Sequence, residues 1–492
     1  MHWIDILIFG LYLIFMLSVG FYFLKRNKDL DDYFVGGRSM DAWHIGLSVA
    51  ATDVGGGFSI GLGGLGFVMG LSGSWLLFSG IIGAWVSAVV LIPKVSKLAQ
   101  KHNLLSFPQF LKGIFNQKVA FIAGIISAVG YLGFTSSQIL AGAKVASASF
   151  GSLSMKEALV IMGGITVVYT VIGGMKAVIY TDTIQWILLI SGLILIAVPF
   201  SYIAIGGYPA IIETLPHDYL SFANISWQKL FNWFITIFPI WFIGMTLYQR
   251  IYAAGTIKTA RKAWFIAGLF EYPVMAFCGA VLGMFAKVAF EKGMISAGGL
   301  YQGADIDPEL GLPLLLRTIL PVGLTGIILS AYFSAIMSTA DSCLMAASGN
   351  IITDIFRINP SGKILRWSQI STLTVGVLAL LVSLWAPSVL GLMMYSYAFM
   401  VSGLFVPVLA AIFHKNPSSI GAFWAMISGG STTLALTISG LTLPFKLDPN
   451  AYGIMLSALT YIAFSSLGGS VKPKSGVSTF ETGTIPNSPY RP

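Results

Sequence analysis

The chain has 492 residues, of which 56% are apolar and only 10% charged, and its mean hydropathy is +0.83. A soluble domain carries about 25% charged residues to keep its surface wetted, so most of this surface cannot face water and a large polytopic membrane protein is the class that remains. The same figures exclude a disordered chain, a coiled coil, a collagen, a small disulfide scaffold and a soluble nucleic-acid binder, and the net charge of +9 matters through its placement.

A helix needs about 20 apolar residues to cross the hydrocarbon core. Thirteen stretches qualify: 6–24, 42–68, 74–93, 119–150, 156–174, 183–206, 229–254, 264–287, 318–346, 367–387, 389–413, 420–442 and 450–469. The first follows only Met1 to Asp5, has no basic leader and is longer than a signal-peptide apolar region, so it reads as a retained helix. Basic residues gather after the odd-numbered spans. Lys25, Arg26, Lys28 and Arg38 follow the first, Lys94 to Lys118 the third, Arg250 to Lys262 the seventh, and Lys472, Lys474 and Arg491 the last. In all, 21 of the 28 Lys and Arg fall on one side. The positive-inside rule then predicts an integral plasma (inner) membrane protein with its N-terminus outside and its C-terminus cytoplasmic.

The second span reads Leu-Ser-Val-Ala-Ala-Thr-Asp-Val-Gly-Gly-Gly-Phe over 47–58 and puts Asp53 beside three glycines at mid-membrane. Each glycine costs about 1 kcal/mol of helix stability against alanine, and a buried Asp about 2.5–3.5 kcal/mol on insertion scales. One reading is an unwound segment whose free carbonyls bind a cation. The other is close packing through glycine, with Asp53 paired to a neighbour. The seventh span carries Pro239 and Gly244 and is interrupted in its turn, unless Pro239 is an ordinary kink. Two interrupted spans five apart suggest an inverted repeat of two five-helix halves, the arrangement that marks a transporter's central site.

The predicted units are an extra helix and loop at 1–41, a first five-helix repeat at 42–206, a second at 207–413 with its preceding outer loop, two further helices at 414–471 and a disordered tail at 472–492. Loops 207–228 and 288–317 are long enough to hold short interfacial helices.

In the ninth span, Ala335, Ser338 and Thr339 share a helix face. Two hydroxyls and a few carbonyls from an unwound partner suit a sodium ion, or the hydroxyls bond within the membrane as Ser and Thr often do. Asp182, at the head of the sixth span, is expected as an N-cap carboxylate. Its alternative is a second, inner cation site with Ser338, Asp341 and Ser342. Lys144, Glu271 and Arg250 are charges in apolar spans that are expected to snorkel to an interface, Arg250 alternatively pairing with an inner acid.

Cys278 and Cys343 lie in apolar segments and supply no disulfide framework. The five histidines are scattered without metal-ligand spacing, so sodium is the only metal expected. No G-x-x-x-x-G-K-[ST] motif supports an ATP-driven pump. Gly70-Leu71-Ser72-Gly73 matches a short protease motif, but no histidine lies deep in a later span to serve as base. The chain is therefore not expected to be an enzyme, and a channel lacks a filter-like repeat. Its expected partners are a small-molecule solute and the lipid bilayer, with no nucleic acid and no obligate protein partner.

Several stretches together resemble the sodium:solute symporter family, which includes bacterial proline, sialic acid and sugar symporters and animal choline and glucose cotransporters. They are Asp32-Tyr33-Phe34-Val35-Gly36-Gly37-Arg38, Ala51-Thr52-Asp53-Val54-Gly55-Gly56-Gly57, the run from Gly173 to Asp182 and the stretch 335–343. The resemblance implies an all-α fold like that of the leucine transporter, a five-plus-five inverted repeat with broken helices, one helix before the core and two after it. It implies sodium-driven uptake by alternating access, with Na+ as coupling ion and no cofactor. By position, it implies a sodium site from the carbonyls of Ala51, Val54 and Ala335 and the hydroxyls of Ser338 and Thr339.

The sialic acid symporter's second sodium site looks like Asp182, Ser338, Asp341 and Ser342 here, with Asp341 standing where that site has serine. Aromatic residues of the proline symporter's site fall on Phe134, Ile237 and Trp241, so one tyrosine has lost its hydroxyl and one aromatic is gone. Tyr248-Gln249-Arg250 is similar to the choline transporter, but two cage tryptophans map onto Asp53 and Met393, which breaks a choline cage. The candidate solute-lining residues are Asp53, Gly56, Phe134, Gln138, Trp241, Thr246 and Tyr397. Asp53 favours an amine-bearing or zwitterionic solute. The alternatives are a proton-coupled symporter of the same fold and a solute sensor that does not transport.

Overall fold

A computed structural model describes residues 2–24, 35–151, 153–295, 306–357 and 364–467. The basic residues at 25–28, the Asp32-Tyr33-Phe34 start of the glycine motif and the 472–492 tail lie outside the described residues.

Among the described residues the chain is helical, with no strand beyond an isolated bridge between Met40 and Ala254. The main helices are α1 (Trp3–Leu24), α2 (Ala42–Met69), α3 (Trp75–Val90), α4 (Gln117–Ser149), α5 (Met155–Gly192), α6 (Trp227–Ile243), α7 (Met245–Ala253) and α8 (Ile257–Leu269). They continue with α9 (Ala276–Glu291), α10 (Pro308–Ile319), α11 (Leu324–Gly349), α12 (Ile364–Ser383), α13 (Val389–Phe413), α14 (Ser419–Ser439) and α15 (Pro449–Leu467). Helix covers every expected stretch. Seven runs among the described residues are long and apolar enough to cross a bilayer, so thirteen spans are not reached by that measure. One of those runs, Ala42–Val90, joins the second and third expected spans.

Polar caps start these apolar helices. Asp41 accepts from the N–H groups of Trp43 and His44 at the head of α2. Asn116, Ser226, Thr256 and Ser388 do the same for α4, α6, α8 and α13. α11 begins at a glycine with no cap of its own, and Asp5 of α1 supplies one from across the fold. Its Oδ1 accepts from Gly323 N at 2.7 Å and Gly326 N at 2.9 Å.

α2 and α11 form the centre. α11 packs against α2, α4 and α5 and is almost entirely buried. α2 also packs on α9 with little space between backbones: a Cβ at Gly66 would stand 2.2 Å from the Ala280 carbonyl oxygen. Small residues let membrane helices approach this closely, which strengthens dispersion where no hydrophobic drive exists.

Both expected interruptions are present. α2 breaks at Gly55, and the seventh span breaks at Gly244 (φ −64°, ψ 115°) between α6 and α7. Pro239 stays inside α6, so the glycine and not the proline makes the break. A third interruption was not expected from the sequence: residues 270–275 leave the α-helical path between α8 and α9, with Tyr272 extended at φ −135°, ψ 121°. The 94–118 segment also holds two short helices, Ile92–His102 and Phe107–Ile114, the second capped by Ser106.

Candidate cation and solute site

Gly55 takes φ 31° and ψ −161°, a backbone state that a side chain would strain. Side chains hold the break open. Gly56 N donates to Gln138 Oε1 at 2.7 Å, and Ser59 Oγ donates to the Gly55 carbonyl at 2.6 Å. From α11, Thr339 Oγ1 donates to the carbonyls of Ala51 at 3.0 Å and Ala335 at 3.3 Å. A Cβ at Gly55 would lie 2.2 Å from that same Thr339 Oγ1. Three of the expected sodium ligands therefore meet beside the break. Val54 is buried next to them, and Ser338 Oγ donates to Asp182. Neutral oxygens at an unwound helix are the donor set that Na+ takes in such transporters.

Of the expected solute residues, Gly56 meets Gln138, and Phe134 meets Tyr397 and, through Tyr131, reaches Thr246. Trp241 packs against Trp264, and Asp53 lies between Ala51 and Val54 on α2. Asp53 is 6% exposed, and its Oδ2 has no hydrogen-bond partner. The Phe134 ring stands edge-on to Tyr397 at 4.9 Å, and Trp241 edge-on to Trp264 at 6.3 Å. Tyr131 OH contacts Thr246 Oγ1 at 3.1 Å and accepts from Thr246 N at 3.3 Å. Sequence reasoning missed Tyr131, although it lies one helical turn before Phe134 on the same face. Gln138 has its amide committed, the oxygen to Gly56 and the nitrogen to Ser137 Oγ at 3.1 Å, so it braces the break. A largely apolar cavity of about 670 Å³ between α4 and α12, lined by Leu132, Ile355, Trp367 and Leu378, lies apart from this cluster.

The three awkward charges all turn inward. Arg250 has no exposed surface and takes its alternative role, pairing with an acid. Its Nη2 donates to Asp182 Oδ2 at 3.1 Å, to Ser342 Oγ at 2.8 Å and to Thr52 Oγ1. Its Nε donates to Ser48 Oγ at 3.0 Å, and its Nη1 to the Thr246 carbonyl at 3.2 Å. Asp182 is not an N-cap: it lies within α5 and accepts from Ser48 and Ser338 as well as Arg250. Asp182, Ser338 and Ser342 do meet, but around a guanidinium. Asp341 accepts from Thr170 instead.

Lys144 does not snorkel. It is 3% exposed and pairs with Asp307 at 2.6 Å and Glu309 at 2.5 Å. Glu309 also accepts from the N–H groups of Val389 and Leu390 at the head of α13. Glu271 does not snorkel either, being fully buried with neither oxygen hydrogen-bonded. The reason is depth. A side chain too deep to reach water is stabilised by a partner inside the protein, which Lys144 and Arg250 have and Glu271 lacks.

The profile of the sodium:solute symporter family matches residues 33–429, most of the chain. The chain belongs to the sodium:solute symporter family. Among its relatives are the Sodium/proline symporter of Escherichia coli (strain K12), 29% identical over 94% of this chain and 92% of its own. The High-affinity proline transporter PutP of Bacillus subtilis (strain 168) is 28% identical over 87% of this chain and 91% of its own. The human Sodium/myo-inositol cotransporter 2 is 26% identical over 94% and 74%.

Two solved structures show the same fold. A Na+-coupled sialic acid symporter in a substrate-bound outward-open state superposes with a TM-score of 0.78 at 22% identity, covering 94% of this chain and 98% of that one. Mhp1, a nucleobase-cation-symport-1 family transporter, gives 0.57 at 12%, covering 88% and 93%. The fold is that of the leucine transporter. This family member is an integral membrane transporter and not an enzyme, and Na+ couples its symport of a small solute.

Proposed function

We propose that the chain imports an amine-bearing organic solute together with sodium, by alternating access around the breaks at Gly55 and Gly244. The observation that carries this is the meeting of the Ala51 and Ala335 carbonyls with Thr339 Oγ1, next to an Asp53 that lacks a full set of partners. Sodium takes these three oxygens with the Val54 carbonyl and Ser338. The solute sits among Asp53, Gly56, Phe134, Trp241, Thr246 and Tyr397, with its amine on Asp53. The halves 42–206 and 207–413 rock about this point, the N-terminus outside and the C-terminus in the cytoplasm.

Occupancy links the two sites. Sodium at the Gly55 break holds the α2 backbone against α11 and so presets the position of Asp53. One sodium moving inward across 100 mV supplies about 2.3 kcal/mol, and tenfold accumulation needs about 1.4 kcal/mol. A single ion therefore sustains more than tenfold accumulation before the sodium gradient itself is counted.

The test is the melting temperature of purified protein with sodium titrated against potassium at fixed ionic strength. The parent is compared with Thr339→Ala, the cleaner variant because Ser338 also serves Asp182. A sodium-specific rise that Thr339→Ala loses supports the site. An equal response to both ions in both proteins removes it and turns attention to proton coupling.

A further inference from the structure

The cavity of about 670 Å³ between α4 and α12 is separate from the cation and solute residues. Its walls include Val129, Ile370 and Leu378, which are exposed in the fold and lie in apolar spans, so it opens toward lipid. A third wall is Ile351, Ile352 and Ile355, from the π-helical turn Asn350–Ile355 that ends α11. Such turns are rare, and many mark functional sites. Trp367 and Leu378 are the first and last lining residues on α12. Eleven residues of helix separate them, roughly 16 Å, which is half of the roughly 30 Å hydrocarbon core. The cavity therefore runs the depth of one leaflet.

Its wall holds an open donor. Ser371 lines the cavity and is 8% exposed, and its Oγ has no hydrogen-bond partner. Thr372, Thr374 and Ser383 on the same helix each donate to a carbonyl within one turn. A buried hydroxyl left open is costly, so Ser371 calls for an acceptor that arrives with an occupant.

Positive charge stands at the Trp367 end. Arg357 follows Phe356 and Arg366 precedes Trp367, and both aromatic residues line the cavity. The two arginines are exposed, and neither forms an ion pair among the described residues. The nearest acid in sequence, Asp354, is buried and accepts from Ser106 and Thr353. Tryptophan is enriched at the bilayer interface. In the orientation proposed above this end meets the cytoplasmic leaflet, whose anionic lipids attract Lys and Arg.

We propose that this cavity binds one anionic phospholipid of the membrane, with an acyl chain between α4 and α12, an ester carbonyl on Ser371 Oγ and the phosphate on Arg357 and Arg366. The groups of the lipid follow the order of the residues along α12. Arg366 comes first, Ser371 stands five residues deeper, roughly 7 Å, and the apolar walls at Val375 and Leu378 lie below it. An apolar ligand without a headgroup leaves Ser371 and both arginines unanswered. A zwitterionic lipid brings a cation of its own beside them.

The experiment counts bound lipids by native mass spectrometry on the full chain in neutral detergent, with dioleoyl-phosphatidylglycerol or dioleoyl-phosphatidylcholine titrated in. The parent should retain one phosphatidylglycerol at a concentration roughly tenfold or more below that for phosphatidylcholine, the preference that two interfacial arginines supply. Arg357→Gln/Arg366→Gln should lose that preference, and Arg357→Lys/Arg366→Lys should keep much of it. Thr374→Phe, at an exposed lining position, fills the cavity and should lose the tightly held lipid. A cooperative melting transition like the parent's shows that each variant is folded. Equal retention of the two lipids by the parent overturns the proposal, as does an unchanged preference in Arg357→Gln/Arg366→Gln or unchanged retention by Thr374→Phe. A parent that is dimeric in detergent and becomes monomeric with Thr374→Phe also overturns it, because a second copy would then cover the cavity.

Discussion

Arg250 Nη2 lies 3.1 Å from Asp182 Oδ2, and neither side chain has any exposed surface. The pair sits at the Ser48–Thr52 end of α2. The other buried ion cluster, Lys144 with Asp307 and Glu309, sits at the far end, where the Glu309 side chain lies 3.2 Å from the Cβ position of Gly64. Sixteen residues of helix separate Ser48 from Gly64, roughly 24 Å at the α-helical rise. Asp53 and the Gly55 break lie between these two buried ion clusters.

Removing one partner of a buried pair leaves the other charge stranded, at about 3–5 kcal/mol. Asp182→Asn and Arg250→Met are each expected to lower the melting temperature strongly. The double variant should recover much of the loss, so the effects should be non-additive in a double-mutant cycle. Arg250→Lys should not rescue, because one ammonium cannot replace Nε, Nη1 and Nη2 at their separate acceptors.

Gly55→Ala tests the cation site through the backbone. The positive φ costs a side chain about 1–3 kcal/mol, and the new Cβ would press on Thr339 Oγ1. The sodium concentration for half-maximal stabilisation should rise by about tenfold or more, which is about 1.4 kcal/mol. Gly57→Ala is the milder control, because its Cβ meets the flexible end of Met393. Equal sodium midpoints for the two variants would argue against a site at Gly55.

Lys144→Met leaves Asp307 and Glu309 without their cation. A loss of about 3–5 kcal/mol is expected, read as a lower melting temperature and faster proteolysis of the segment around Asp307. Lys144→Arg should retain most of the stability, since it keeps the charge and can serve both acids. Equal losses in the two variants would mean that packing rather than charge holds this end.

Asp41 gives a pH-dependent term. Partial burial pushes its carboxyl up, but hydrogen bonds from the His44 N–H, the His44 ring and the Trp43 N–H outweigh this and hold it below the usual carboxylate range. A carboxyl whose folded value is depressed stabilises the protein above its unfolded value and loses that contribution as pH falls through the folded value. Asp41→Ala should cost about 0.5–2 kcal/mol near neutral pH, toward the lower end because the site is exposed. The gap between parent and variant melting temperatures should hold above about pH 5 and narrow as the pH falls below about 4, and a gap that stays constant on acidification through that range would contradict the capping account.

Helix placement is readable from the chain because a bilayer leaves a spanning segment no choice: its backbone must bond internally over about 20 apolar residues. The glycines at 55 and 244 are readable for a related reason, since they weaken a helix locally whatever surrounds it. The grouping of Ala335, Ser338 and Thr339 on one face follows from helical period alone. The direction of Glu271, the two acids on Lys144, the ring around Arg250 and the bracing duty of Gln138 do not. Each depends on partners far away in sequence, as with Thr52 and Ser342, whose hydroxyls come within 3.2 Å across 290 residues. Whether a charged side chain escapes to water or finds a counter-charge depends on how deep it lies and what the neighbouring helices present. Local periodicity carries no record of either, so that choice is made by the packing of the helices.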